Sequence, residues 1–370
     1  MLLAVVCWLF VGCAIVGGDR VPEPECPLAA AEAVMAQSVP ELLLAKQHAG
    51  RALLIGEHHG QTAEIDLLAT LIEEQAAPVL VAMELLPAAA QPQLDALLEA
   101  DRFVEADWLA VVGKRYWPAP LHVQAYARVV AAARSARGKG VDVRLVGLAP
   151  DCRLGPMPTT AAAMDCFRER DAAMLRTLRA ARKAHPDHGL IVSAGWRHLS
   201  AVRLPSAPKV LGESWPAHWP ATRVLLTAPE RALPTGGWVS TCGAAPTSLA
   251  NARQQAVAVD LSESSAQALT LASCLDLPSA DDRPLSKAFD LLVALPPGAA
   301  PQALGVDEFA RIAPADRAAW ARTYVELMGR SQPPQTPQEW ASWASADVAD
   351  LAAQLTPAPG CPSALPASGG

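Results

Sequence analysis

Two short patterns in this sequence have the residue types for catalysis or ligand binding. "GEHH" sets Gly56, Glu57, His58 and His59 directly after the apolar run "ALLI", and "GWRH" sets Gly195, Trp196, Arg197 and His198 after "LIVSA". Each contains Gly-x-x-His. With 23 glycines and 8 histidines in 370 residues, chance alone gives about half an occurrence. Two would not be surprising, but two placed directly after strand-like runs are. Glycine lets the chain leave a strand sharply, and the histidine that follows can return over the strand end. An imidazole there can act as a general base or bind a metal.

Acids and one arginine extend the set. The apolar run "PVLVAMEL" carries Glu84 at its end, and "DVRLVGLAP" runs into Asp151. The stretch "TTAAAMDCFRERDAAMLRTLRAARK" has a helical apolar stripe of Met164, Phe167, Met174, Leu175 and Leu178. Arg170 and Asp171 fall within that stripe, and a charge pair on a core-facing side needs a partner or a function. An arginine can also pack its stem and send its head to water. With carboxylates gathered at strand ends, an ion pair at a site is the expectation.

Two chemistries are open to Glu57, His59, Glu84, Arg170 and His198. His59, His198 and Glu84 could hold a divalent transition metal with open positions, whose bound water becomes a nucleophile near neutral pH. Without a metal, His59 or Glu84 would act as general base on water. Arg170 would stabilise developing negative charge in either case.

These side chains need a scaffold that brings them to one edge. "RALLIGE", "PVLVAMEL", "DVRLVGLAP" and "GLIVSAG" read as buried strands, nearly continuous in apolar character. Helical periodicity separates them at Thr62 to Glu74, Leu121 to Arg137 and Thr159 to Lys183. "TRVLLTA", "QAVAVDL" and "AFDLLVALP" are further strand candidates. This alternation predicts an α/β fold, with a mostly parallel central sheet flanked by helices and a C-terminal helical appendage. Ligands of such sheets bind outside the carboxyl ends of the strands, where all these residues would lie. The expected divisions are a signal over 1–18, an α/β domain over 19–300, a helical appendage over 301–355 and a Pro/Gly-rich tail over 356–370. Trp320, Trp340 and Trp343 would pack the appendage on the main body.

The bulk numbers narrow the class. Hydrophobic content of 51 % with 18 % charged residues excludes a disordered chain. The formal charge of −7 and the lack of any Lys/Arg block argue against nucleic acid as a partner. "MLLAVVCWLFVGCAIVGG" has no charge before Asp19 and reads as an export signal. Phe10-Val11-Gly12-Cys13 resembles a bacterial lipobox, in which Cys13 would carry a lipid anchor. The expected location is therefore extracytoplasmic, as a lipoprotein of the bacterial cell envelope. Without Cys7 and Cys13, an even set remains: Cys26, Cys152, Cys166, Cys242, Cys274 and Cys361. In an oxidising compartment these would form disulfides, paired locally as Cys152–Cys166 and Cys242–Cys274, with Cys26 joined to Cys361.

Strand-GE-x-H, strand-AME, the "ERDAAM" helix and strand-AGxxH, in this order, resemble the haem-binding-uptake, ChaN-like branch of the Tiki superfamily. That branch is related to TraB-like proteins and erythromycin esterases. The similarity runs from about Arg51 to His198 and weakly on to "AFDLLVALPPGAAP". It implies that His59 and His198 are the paired histidines, Glu84 the acid and Arg170 the arginine, with Glu57 in the first motif. It also implies haem, or a divalent metal, as cofactor and a small molecule or haem as partner. Some ChaN-like proteins ligate haem through tyrosine. Of Tyr116, Tyr126 and Tyr324, the resemblance favours Tyr116 in "KRYWPAP". Erythromycin esterases add a hydrolase, ester- or peptide-cleaving, as the alternative use of the same residues.

Overall fold

A computed structural model describes residues 38–57, 62–114, 123–150, 160–203, 209–227, 256–262, 283–295, 304–328 and 333–355. The segment expected to be an export signal, His58, His59, Tyr116, Asp151 and every cysteine of the expected pairs except Cys166 lie outside these residues. Cys166 is disulfide-bonded.

Helix α1 (Val39–His48) opens the described chain. Its start is set by a capping box, in which Ser38 Oγ accepts the Glu41 N–H and Glu41 accepts the Ser38 N–H. Then come β1 (Ala52–Glu57), α2 (Thr62–Glu73), β2 (Val79–Pro87), α3 (Gln91–Glu99) and α4 (Glu105–Gly113). They are followed by α5 (Val123–Gly138), β3 (Val143–Ala149), α6 (Thr160–Ala184), β4 (Gly189–Gly195) and the single turn α7 (Trp196–Leu199). Strands β5 (Ala221–Thr227), β6 (Val257–Asp260) and β7 (Leu291–Ala294) precede helices α8 (Val306–Arg311), α9 (Pro314–Met328) and α10 (Pro337–Leu355).

The seven strands form one sheet in the order β3-β2-β4-β1-β5-β7-β6. All neighbours are parallel except β6, which runs antiparallel on β7 at the edge. The expected α/β class is what the chain adopts.

Side chains alternate across the sheet and split the core in two. Leu53 and Ile55 of β1, Val79, Val81 and Met83 of β2 and Ile191 of β4 enter one layer with α1 to α5. Leu54, Leu80, Ala82, Val192 and Ala194 enter the other, with Met174, Leu175 and Leu178 of α6. Both faces are covered, so these strands are apolar at successive positions, not alternate ones. Each fully buried Leu or Ile stabilises the fold by roughly 1.5–3 kcal/mol. Met174, Leu175 and Leu178 of the α6 stripe therefore pack as their spacing predicts, with Arg170 and Asp171 about two turns before Leu178.

The C-terminal helices join the first core layer through Phe309, Trp320 and Trp340. Phe309 stacks on Trp340 at 6.2 Å, and Trp320 meets Trp340 edge-on at 5.9 Å. Lys114 at the end of α4 bonds Asp316 of α9 at 3.3 Å. The helical appendage expected over 301–355 comprises three helices among the described residues, with Pro314 and Pro337 at the first positions of α9 and α10.

Candidate functional site

Helix α2, next after β1, packs on one face of the sheet, whereas α7 after β4 packs Leu199 into the opposite core layer. Adjacent strands whose connections take opposite faces open a crevice at their carboxyl ends. Here Glu57 is in register with Gly195, so the two Gly-x-x-His motifs start side by side. Gly56 is required there by space. A Cβ on it would stand 3.0 Å from Trp196 Cα and Cβ and 3.1 Å from the Val224 carbonyl. The close approach lets buried Trp196 sit on the end of β1, and α7 turns back over the strands.

His198 is the centre of the site. Its Nδ1 lies 2.8 and 3.0 Å from the two carboxylate oxygens of Asp171. Its Nε2 lies 2.6 Å from an Arg170 guanidinium nitrogen and 3.3 Å from Glu84 Oε1. Glu84 Oε1 is also 3.5 Å from Arg170, and Glu84 Oε2 accepts the Gly195 N–H at 2.8 Å. Asp171 accepts the Leu211 N–H at 2.8 Å, and Gly212 N–H donates to the His198 carbonyl at 2.7 Å. The carboxylates are almost fully buried, while His198 and Arg170 keep 12 % and 20 % of their side chains exposed. The acids thus form the floor, and the imidazole edge and guanidinium form the accessible surface.

Of the residues read from the sequence, Glu84, Arg170 and His198 are in mutual contact. Glu57 bonds elsewhere. Continuing the Leu53/Ile55 alternation, it points to the face opposite Glu84, where it accepts the Tyr126 hydroxyl at 2.6 Å and the Ser193 hydroxyl at 2.7 Å. His59 and Tyr116 lie outside the described residues. Two partners carried little signal of their own. Asp171 was visible only as a charge in an apolar stripe. Tyr126, considered with the other tyrosines, sits in an ordinary helical pattern on α5.

Among the described residues no group of three His, Cys, Asp or Glu side chains could hold a metal. Glu84 and His198 supply two donors at a separation suited to neighbouring ligands, but the Arg170 guanidinium already faces both. A metal would have to displace one cation with another. Haem would need a ligand for iron and counter-charges for its carboxylates. His198, with Nδ1 on a carboxylate as ligating histidines commonly are, and Arg170 have that chemistry. However, His198 Nε2 faces Arg170 and Glu84. The cavity lined by Leu85, Leu86, Trp108, Val112 and Tyr126, on the Glu57 side of the sheet, has a volume of about 10 Å³, room for about one water. The described residues alone do not fit a haem.

Known proteins resemble parts of this chain. No curated protein matches it. Among solved structures, a type III effector is similar at 14 % identity and a TM-score of 0.38, over 72 % of this chain and 99 % of its own. An erythromycin esterase mutant in its open conformation is similar at 13 % identity and a TM-score of 0.48, over 72 % of this chain and 94 % of its own. ChaN of Campylobacter jejuni, described with cofacial haem binding, is similar at 12 % identity and a TM-score of 0.28, over 52 % and 86 %. Residues 43–154, which carry Glu57 and Glu84, match the family described as haem-binding uptake, Tiki superfamily, ChaN, and over that segment the resemblance read from the motifs is borne out.

Proposed function

We propose that the crevice is a general-base hydrolytic centre acting on a small acyl substrate, an ester or amide, at the bacterial cell envelope. The observation that carries this reading is the bonding of His198, with Nδ1 on Asp171 and Nε2 toward Arg170 and Glu84. A guanidinium can only donate, so Arg170 at 2.6 Å favours a lone pair on Nε2, standing nearer than the Glu84 oxygen at 3.3 Å. That lone pair is the basic atom a hydrolytic water needs. When a substrate carbonyl oxygen draws Arg170 to itself, Nε2 is released to a water. The water's proton passes to Nε2 as its oxygen attacks the carbonyl carbon. Arg170 then holds the oxyanion, and the imidazolium returns the proton to the leaving group as the carbon–heteroatom bond breaks. Glu84 orients Arg170 and, through the Gly195 N–H, the turn that carries His198. General-base catalysis of this kind contributes about 10²- to 10⁴-fold, and an oxyanion donor a comparable factor.

A second reading is favoured by the family match over residues 43–154: the protein binds haem for uptake, with Tyr116 as iron ligand and Arg170 as counter-charge to a haem carboxylate. When bound, haem would supply iron chemistry or simply be cargo. One set of measurements separates the two. Purified protein is assayed on a panel of small esters with and without chelator, and titrated with haemin while the Soret band is followed. Hydrolysis that persists with chelator and falls about 10²- to 10⁴-fold in His198→Ala supports the hydrolase. A stoichiometric Soret band lost in Tyr116→Ala, with no hydrolysis by the wild type, overturns it in favour of haem.

A further inference from the structure

We propose that Asp171 is a positioning residue that holds His198 in the Nδ1–H tautomer, and that the chain segment Val210–Gly212 locks both residues in that arrangement. The reasoning begins with proton inventory. A carboxylate can only accept, so the ring nitrogen facing both Asp171 oxygens at 2.8 and 3.0 Å must carry a proton. A guanidinium can only donate, so Arg170 at 2.6 Å favours a bare Nε2, and it stands nearer than the Glu84 oxygen at 3.3 Å that would accept a proton from the same nitrogen. Asp171 and Arg170 thus favour the same tautomer from opposite sides of the ring.

Asp171 is itself fixed. It is 5 % exposed, on α6 between the inward-facing Met174 and Arg170, and its Oδ1 also accepts the Leu211 N–H at 2.8 Å. The residue after Leu211 completes the lock, because Gly212 N–H donates to the His198 carbonyl. One three-residue segment thus bonds the carboxylate through one amide and the histidine backbone through the next. A Cβ at Gly212 would run into the Leu199 and Ser200 carbonyls, so the segment lies flat on α7 only because that residue is glycine. Leu211 is fully buried in the same core layer as Met174 and Leu199, which holds the segment down.

Asp171→Asn separates this role from mere packing. The asparagine oxygen can keep the Leu211 N–H, leaving its amide N–H facing Nδ1. That donor demands the Nε2–H tautomer, which then points a proton at Arg170. The tautomer is read from the ¹⁵N shifts of the His198 ring, assigned with His198→Gln, at a pH where the ring is neutral. The wild type should show protonated Nδ1 and bare Nε2, and Asp171→Asn the reverse, with an unchanged circular dichroism spectrum. Should the variant not fold, the wild-type tautomer decides alone: a ring protonated at Nε2 overturns the proposal, as does a folded Asp171→Asn protein with the wild-type tautomer. The rate consequence rests on the hydrolytic reading: kcat should fall by about 10²- to 10⁴-fold with KM nearly unchanged. A tautomer switch in a protein that hydrolyses nothing leaves the positioning role intact and removes only that reading.

Discussion

Glu84→Gln tests the charge balance at the floor of the site, since it keeps the shape of the side chain and removes its charge. Glu84 is 3 % exposed, and its two oxygens divide between the Gly195 N–H on one side and Arg170 with His198 on the other. The glutamine oxygen can retain Gly195, which turns the new amide N–H₂ toward the guanidinium, donor against donor. Removing one partner of a fully buried ion pair costs roughly 3–5 kcal/mol. Arg170 keeps 20 % of its side chain exposed, so water recovers part of this, and about 2–3 kcal/mol is expected. Glu84→Ala also strips the acceptor from the buried Gly195 amide and should cost a further ~1–3 kcal/mol. Urea unfolding measures both, as a lower midpoint at constant slope. Arg170→Met completes a double-mutant cycle. If the penalty is electrostatic, Glu84→Gln should cost at least about 1 kcal/mol less in that background. A loss below about 0.5 kcal/mol, or the same loss in both backgrounds, would refute the reasoning.

Three further outcomes are expected. Gly212→Ala should destabilise the fold by about 1–3 kcal/mol, since the added methyl meets backbone carbonyls that cannot rotate away, and should lower any activity more than stability alone explains; wild-type unfolding and kinetics would refute the tight seating of this segment. Tyr126→Phe should cost about 1.5–3 kcal/mol, because it removes a 2.6 Å bond to the buried Glu57 carboxylate, and the same unfolding assay checks it. At the opposite edge of the sheet, burial raises the Asp142 pKa, but bonds from Arg144 and His188 outweigh it and leave the group below the ordinary aspartate value. A depressed carboxylate stabilises the fold above its unfolded pKa and loses that contribution as pH falls through the folded value, so Asp142→Asn should flatten the loss of stability below about pH 4, and an unchanged acid limb would count against this assignment.

The fold was legible because both faces of the sheet are covered. Runs such as Val79–Met83 bury every residue, and uniform burial leaves an apolar signature that needs no partner to be recognised. Arg170 and His198 were legible for a related reason, since one breaks an apolar stripe and the other follows a glycine at a strand end. What remained hidden depends on distances between segments far apart in sequence. Asp171 and His198 are 27 residues apart and Asp171 and Leu211 are 40, and no local pattern marks an amide that will meet a carboxylate. Helices α1, α3 and α4 carry weaker signals: Leu42, Leu43 and Leu44 are all buried in α1, which blurs a helical period. The placement of Glu57 was hidden by parity. It ends a strand as Glu84 does, but it faces the other core layer, as Ile55 does.

That difference in parity has a mechanical consequence. The end of β4 lies between β1 and β2 and ties down both acids: Ser193 through its hydroxyl to Glu57, and Gly195 through its amide to Glu84. The two carboxylates are therefore coupled through three consecutive residues of one strand, although they sit on opposite faces of the sheet. Glu57 is bonded in turn by Tyr126 of α5, so the end of β4 joins both acids and that helix. The turn carrying His198 starts at the same glycine. The end of β4 thus carries polar contacts on both faces, and on the side bearing His198 the cation facing Glu84 is Arg170.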